Sequence, residues 1–310
     1  MRLLVVGLGV QGRKRQRVAG KDAVGSVDPH VADARWKRLA DVPFDAYDAA
    51  ALCVPDSEKA GALSILLGAG KHVLVEKPLF LDPAEFDALE RRANRTGAYC
   101  MTAYNHRFEP HFVRMRQVIS SGRLGKIYRC RMFYGNGTAE LVRNSAWRDR
   151  GDGVLSDLGS HLFDTLAFWF GDIADGFRVV SANRFENRAP DHVVVASEKG
   201  SPKIELEMTL LAWRNHFTCH VFAENGSAHI SSLCKWGPSE FVERHRVRPS
   251  GRPPEESRVL IQDDPTWAAE YVEFKKRVAR RTRTDFDGDR RIGLMLSRLG
   301  KSAIAKARRQ

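Results

Sequence analysis

A chain of 310 residues holds more than one typical core, and 43% hydrophobic content with apolar runs recurring along its length excludes a disordered protein. No apolar run approaches the ~18 residues of a membrane span, and the opening MRLLVVGLG is too short and too glycine-rich for a signal peptide. A net charge of +12 admits nucleic acid, a membrane surface or an anionic substrate, but the basic residues spread over 13–17, 142–150, 243–252 and 275–309 rather than forming one arm.

The cysteine count is five, an odd number, and no C-x-x-C pair occurs. Several lie in strand-like apolar runs, where a thiol behaves as a small hydrophobe. These features argue against a disulfide framework or a zinc site, so no metal is expected, and they fit a reduced, cytoplasmic compartment.

In chain order, RLLVV (2–6) reads as a buried strand of a parallel sheet. Gly7, Gly9 and Gly12 follow as G-x-G-x-x-G, then a helical stretch, then a second strand, AVGSVD, ending at Asp28, 21 residues after Gly7. The first glycine makes a tight turn, the second lets the backbone approach a pyrophosphate, and the third lets the helix pack on the strand. Free N–H groups at the helix start, from Val10, Gln11 and Gly12, then face the anion. Asp28 stands where a carboxylate meets the adenine ribose and would repel a 2′-phosphate, so NAD is favoured; His30 and Arg35 leave NADP open. Arg13, Lys14, Arg15 and Arg17 fall inside this helix. They read as a solvated face beside a bound pyrophosphate, with Val10 and Val18 towards the sheet, and not as a nucleic-acid arm.

The alternation continues through YDAAALCVP (47–55), SEKAGALSILLGAG (57–70), KHVLVEKP (71–78), DPAEFDALERRANRTG (82–97) and AYCMTAYN (98–105). Asp82 is the cap of the helix in DPAEFDALERRANRTG, and Pro83 takes its first position. Strand–helix alternation over about 105 residues gives a doubly wound parallel sheet. Ligands bind at the carboxyl ends of such strands, which is where Pro55 and Glu76-Lys77-Pro78 lie. A partly desolvated Lys77 there could hold a hydroxyl or pass a proton; a solvated surface lysine is the alternative.

GVLSDLGSHLFDTLAFWFGD (153–172) reads as a largely buried helix ended by Gly171. Across its apolar stripe, Asp157, His161 and Asp164 stand at i, i+4 and i+7. Buried carboxylates and imidazoles need partners, and a histidine beside a carboxylate is a candidate proton acceptor. Asp157 as a cap and His161 as a satisfied core histidine stay open at this point. Just before this helix, Arg143, Trp147, Arg148 and Arg150 suit an anionic sugar, such as a uronic acid or sugar nucleotide. The other reading is a surface loop whose arginines pair with Asp149 and Asp152.

GLGVQG, VPDS, GKHVLVEKPL, AYNHRF and GVLSDLGSHLFD, in this order and spacing, resemble the glucose–fructose oxidoreductase / inositol dehydrogenase / MocA family over essentially the whole chain. The resemblance implies an N-terminal Rossmann domain (1–122) and a C-terminal α+β domain on a large, mostly antiparallel open sheet (123–310), whose last helices could pack back on the first domain. It implies NAD or NADP as hydride carrier and a sugar, cyclitol or sugar nucleotide as substrate. Carried over by motif, Lys77 and His161 are the acid/base pair, Asp157 binds substrate beside them, and Asn105 and Arg107 border nicotinamide and substrate. The Lys77–Pro78 bond is expected to be cis. An exposed sheet face implies a homodimer or homotetramer. Where many members carry histidines, this chain has Arg15 and, nearby, Lys59, and neither is given chemistry.

KIYRCRMFYGN, HVVVASEKG, PKIELEMTLLAW, HFTCHVFAEN and GSAHISSL read as strands with one covered face, and TWAAEYVEFKKRVARR and RIGLMLSRLGKSAIAKARR as closing helices. DFDGD (285–289) lacks most of a calcium-loop pattern and reads as a helix start. The expected activity is reversible oxidation of a secondary alcohol. A cofactor-binding sensor without turnover is the rival, against which the retention of Lys77, Asp157 and His161 together argues.

Overall fold

The computed structural model describes residues 1–145, 148–171 and 176–307. The chain divides into two compact units, 1–105 with 265–293 and 106–264 with 294–310. In chain order, the first unit opens with β1 (Leu3–Val6), α1 (Val10–Ala19), β2 (Ala23–Val27), β3 (Ala49–Leu52), α2 (Asp56–Gly68), β4 (His72–Glu76), α3 (Pro83–Thr96) and β5 (Cys100–Ala103). The second contains α4 (Pro110–Ser120), β6 (Ile127–Gly135), α5 (Ala139–Arg143), α6 (Ser160–Phe170), β7 (Phe177–Asn183), β8 (His192–Ser197), β9 (Lys203–Thr209), β10 (His216–Ala223), β11 (Gly226–Ser231), β12 (Ser239–His245) and β13 (Glu255–Leu260). α7 (Thr266–Ala279) returns to the first unit, and the division falls within α8 (Asp287–Ala307).

Among the described residues the first unit holds a five-stranded sheet, order β2-β1-β3-β4-β5, parallel throughout. Its strands are buried on both faces, which is why they read as unbroken apolar runs. Leu4, Val6, Leu52, Val73 and Val75 face one core with Leu63, Leu66, Leu67, Phe86 and Phe286. Leu3, Ala49, Ala51 and Leu74 face the other, closed by Tyr271 and Phe274 of α7. Truncating any one of the large fully buried residues would cost about 2–5 kcal/mol. α3 begins as its sequence dictates: Asp82 accepts from Glu85 N–H at 2.8 Å, Glu85 accepts from Asp82 N–H at 3.0 Å, and Gly97 ends the helix in the left-handed region.

The second unit is built on an eight-stranded sheet, order β13-β12-β11-β10-β6-β9-β8-β7 among the described residues. Only β6 and β9 pair in parallel; the other neighbours are antiparallel. Cys130, Met132, Tyr134, Leu206, Met208, Phe217, Cys219 and Val221 point to the covered face and are buried. There α4 and α6 lie together: Phe112 packs on Trp169 and on Phe217 at centroid distances of 5.1 and 5.0 Å, and Trp169 Nε1–H donates to Phe112 O at 2.9 Å. The opposite face is polar, with Arg131 paired to Glu205 at 2.8 Å across β6 and β9.

Two structural differences from the sequence reading follow from polarity and contacts. β12 and β13, SEFVERH and EESRVL, carry too many charges to read as strands, yet they extend the sheet: β12 buries Phe241 against His111 and pairs Glu243 with Arg123, and β13 pairs with β12. The segment 106–122, expected to end the first domain, belongs to the second unit because α4 is committed to α6.

Candidate active site

The nucleotide turn of the first unit has the three glycines in three different roles. Gly7 has φ of +89°, and a Cβ there would lie 2.4 Å from Cys53 O; a Cβ on Gly12 would lie 1.8 Å from Gly7 O. Both positions are therefore filled by backbone. A Cβ on Gly9 would meet nothing within 4 Å, so open space lies over the N-cap of α1, where the first-turn N–H groups lack intrahelical acceptors. This is the space an anionic diphosphate needs at a helix start. Val10 is 85% exposed there, which corrects its expected burial against the sheet: as the first helical residue it lies at the open turn. Gln11 is exposed beside it.

Asp28 closes the turn from the side. Its Oδ2 accepts from Leu8 N–H at 2.8 Å, and its Oδ1 accepts from His30 N–H at 2.8 Å and Val31 N–H at 3.1 Å. Burial opposes its charge, but these N–H donors outweigh it and hold the carboxyl below its ordinary value.

The expected solvated basic face is corrected in part. Arg15 is buried, with Gly12 and Ala19, on the inner stripe of α1. Its guanidinium donates to Glu76 at 2.8 Å and to Glu270 of α7, and lies 4.2 Å from the Trp267 ring centroid. Lys14 Nζ is 4.0 Å from the same ring. The i, i+3, i+7 spacing of Gly12, Arg15 and Ala19 is the signal that an arginine had been placed inside.

Glu76 ends β4, and the Lys77–Pro78 bond after it is cis. Buried Lys59 donates to Pro78 O at 2.7 Å and pairs with Asp56 at 2.6 Å. Pro55 is the N-cap of α2, at the carboxyl end of β3. Asn105, beyond β5, donates to Thr266 Oγ1 at 2.8 Å. Arg15 and Lys59, which received no role from the sequence, thus fasten the two sides of the segment carrying Lys77.

In the second unit, Leu155–Gly159 form a π-helical turn that leads into α6. Insertions of this kind recur at functional sites. A Cβ on Gly159 would lie 3.1 Å from Met208 Sδ, so the turn sits close on β9. Asp164 is fully buried, and Arg107 donates to it through Nε at 3.0 Å and Nη2 at 2.5 Å. Burial raises the Asp164 pKa against the opposing effect of Arg107.

Asp157 accepts from Arg148 at 3.2 Å. His161 stacks on His106 with centroids 4.0 Å apart, and Tyr134 lies 6.2 Å away. Lys235 Nζ is 3.4 Å from His106 Nε2, and Trp236 packs on Tyr134 at 5.8 Å. The short turn bearing Lys235 and Trp236 is anchored by Glu109, which accepts from Cys234 N–H at 3.2 Å and from its Sγ at 3.0 Å.

Trp147 lies outside the described residues. The alternative reading, a surface loop whose arginines pair with Asp149 and Asp152, is not what the structure shows. Arg143 is 3.8 Å from Glu186, Asp149 accepts from Ala189 N–H at 2.9 Å, and Asp152 accepts from Ser156 Oγ–H at 2.7 Å. His106, Tyr134, Lys235 and Trp236 went unnoticed in the sequence. Only His106 carried a signal, as the centre of AYNHRF; the others reach α6 from distant segments.

An oxidoreductase family described by an NAD-binding Rossmann fold matches residues 1–104, and the GFO/IDH/MocA C-terminal domain matches residues 112–229. The chain belongs to the GFO/IDH/MocA oxidoreductase family. A trans-1,2-dihydrobenzene-1,2-diol dehydrogenase of Oryctolagus cuniculus is 26% identical over 64% of the chain and 59% of that protein. An inositol 2-dehydrogenase of Rhizobium meliloti is 30% identical over 40% of the chain and 37% of that protein. The chain therefore matches less than two thirds of the length of these relatives. A levoglucosan dehydrogenase solved with NADH and levoglucosan has the same GFO/IDH/MocA fold, with a TM-score of 0.82 at 16% identity, covering 99% of this chain and 98% of that one. The glycine turn and Asp28 lie within the residues that match the NAD-binding Rossmann family, and the open space over Gly9 leaves room for a diphosphate.

Proposed function

We propose that this protein is an NAD-dependent dehydrogenase that reversibly oxidises a secondary alcohol on a sugar, sugar acid, cyclitol or sugar nucleotide. The observation that carries this is the polar stripe along the π-helical turn and α6, where Asp157, His161 and Asp164 share one face, His161 stacked on His106 and Asp164 held by Arg107. When bound, the nicotinamide supplies the hydride acceptor. The chain's own work is proton transfer and orientation. Lys77 Nζ and the His161 imidazole hold and move the hydroxyl proton, and Asp157 accepts a hydrogen bond from a second hydroxyl. Arg107, tied to Asp164, keeps that end of α6 in register and borders the substrate.

An anionic sugar is the favoured substrate. Arg148 and Lys235 supply cations, and Trp236 supplies an aromatic face, all around the same helix. The relatives' names, an inositol dehydrogenase and a levoglucosan dehydrogenase, support ring alcohols as the class. NAD is preferred over NADP because Asp28 opposes a 2′-phosphate. The proposal includes a cytoplasmic location, supported by five free thiols, and a second copy of the chain on the open sheet face, supported by exposed Val180 and Phe222 there. No helix among the described residues is long and apolar enough to cross a membrane.

The test is NADH formation from NAD with sugars, uronic acids, cyclitols and nucleotide sugars. Turnover on one class is expected, with Lys77→Ala and His161→Asn each lowering kcat by about 10²–10⁴ while NADH still binds. Dinucleotide binding without turnover across the panel in both directions would replace the dehydrogenase by a sensor.

A further inference from the structure

Arg13 and Asp33 form a pair that the nucleotide turn alone does not require. Arg13 lies in the first turn of α1, one residue after Gly12. Its Nη1 and Nη2 donate to the two oxygens of Asp33 at 2.8 and 2.6 Å, so the whole guanidinium fork faces one carboxylate. Asp33 sits on the loop that follows β2. The loop is closed on itself: Asp28 N–H donates to Trp36 O at 3.1 Å, Trp36 N–H to Ser26 O at 3.0 Å, and Ala34 N–H to Val31 O at 3.2 Å. Asp33 is therefore presented by a braced loop.

Asp28 belongs to the same patch. It holds the loop's start and the turn's Leu8, and its charge favours the Arg13 cation after the stronger effect of the hydrogen bonds that Arg13 donates to Asp33. The other nearby cations are engaged differently. Arg35 donates to Val24 O at 3.1 Å and stacks on Trp36; Lys37 donates to Val31 O at 2.7 Å. Further along α1, Lys14 lies over Trp267 and Arg15 is buried. Among these cations, Arg13 is the one whose fork is held on the loop that Asp28 anchors.

Resting on the dinucleotide-site reading above, we infer that Asp33 is a cofactor-specificity residue that acts by occupying Arg13. A 2′-phosphate is recognised by a guanidinium fork, which pairs with two phosphate oxygens as it does with two carboxylate oxygens. While Asp33 fills the fork, a phosphate must displace a carboxylate, and it must do so beside a second one. Asp28 repels the phosphate directly; Asp33 withholds the cation that would receive it. An adenosine with free ribose hydroxyls makes no such demand, so its binding is indifferent to the pair. Arg13 and Asp33 are 42% and 63% exposed, so replacing either leaves the fold intact.

The test is titration of purified protein with NADPH and NADH by nucleotide fluorescence, which needs no substrate. Asp33→Asn, which keeps the side-chain shape and removes the charge, is expected to tighten NADPH about tenfold, the worth of one charge-assisted contact, and to change NADH less than about threefold. Arg13→Gln in the Asp33→Asn background is expected to return NADPH to the wild-type value. Unchanged NADPH affinity in Asp33→Asn overturns the inference. So does a gain that survives loss of Arg13, which would assign the effect to bulk charge. Wild-type protein that binds neither dinucleotide would instead remove the reading of the turn itself.

Discussion

Asp164 and Arg107 show what a single buried carboxylate demands. Asp164 is fully buried, and Arg107, 41% exposed, bonds to both its oxygens. Replacing Arg107 by Met would strand the carboxylate and is expected to lower stability by about 1–3 kcal/mol, read as a shift in the denaturation midpoint at constant slope. Asp164→Asn in that background should recover part of the loss, since the amide desolvates at lower cost. Asp157, His161 and Asp164 were legible because helical spacing projects a polar stripe through an apolar pattern. Their partners were not, because Tyr134, Lys235 and Trp236 approach from a strand and a turn whose neighbourhood is decided only by the sheet. Val10 and Arg15 were misread for a related reason: residue type predicted which faces the sheet, and the open turn and two buried acids decided otherwise.

At the scale of elements, α1, β4 and α7 meet at one guanidinium. Arg15 is 3% exposed and Glu270 fully buried, so Arg15→Met removes the guanidinium that Glu76 and Glu270 share. The expected cost is about 3–5 kcal/mol, and replacing Arg15, Glu76 and Glu270 together by apolar residues should cost far less than Arg15→Met alone, as thermal or chemical unfolding would report.

The β10–β11 pair supplies a pH dependence. His220 Nδ1 and His229 Nδ1 are 2.8 Å apart, and His229 Nε2 lies 2.8 Å from Ser227 Oγ. Burial, then Arg244 and His220, lower the His229 pKa from 6.5 to about 4. The unfolded chain therefore binds a proton more readily between those values. The contribution of His229 to stability is complete above about pH 6.5 and is lost as pH falls towards about 4. His229→Gln should flatten the fall in Tm between pH 7 and pH 4.5; a fall as steep as in wild type would remove His229 as its source. The strands carrying this pair were plain in the sequence from alternation, whereas β12 and β13 were hidden, since an outer strand solvated on one face needs few apolar residues to be held by its register.

For the whole molecule, sequence order and domain order differ. The parallel sheet was readable from strand–helix alternation, and a second sheet with one covered face from polar–apolar alternation, whereas its mostly antiparallel pairing came from the family resemblance. The return of α7 to the first unit was anticipated only through the family resemblance, because an amphipathic helix does not itself state which sheet it covers. The open face of the large sheet bears on assembly. Sedimentation is expected to give at least a dimer, and Phe222→Glu with Val180→Glu should shift it towards monomer without loss of the far-UV signal; an unchanged assembly would place the contact elsewhere.

The return of α7 also bears on how the chain emerges during synthesis. Residues 1–103 contain all five strands of the first unit's sheet, yet the face of Leu3, Ala49, Ala51 and Leu74, covered in part by Ala19 of α1, lacks Tyr271 and Phe274 until α7 is made, and Arg15 lacks Glu270 until the same moment. A nascent chain stopped before residue 265 carries a partly uncovered apolar sheet face and an unfinished charge cluster. The nucleotide-binding unit is thus the first to leave the ribosome and cannot be completed until most of the second unit has been made, which assigns chaperones a long interval in which to hold it.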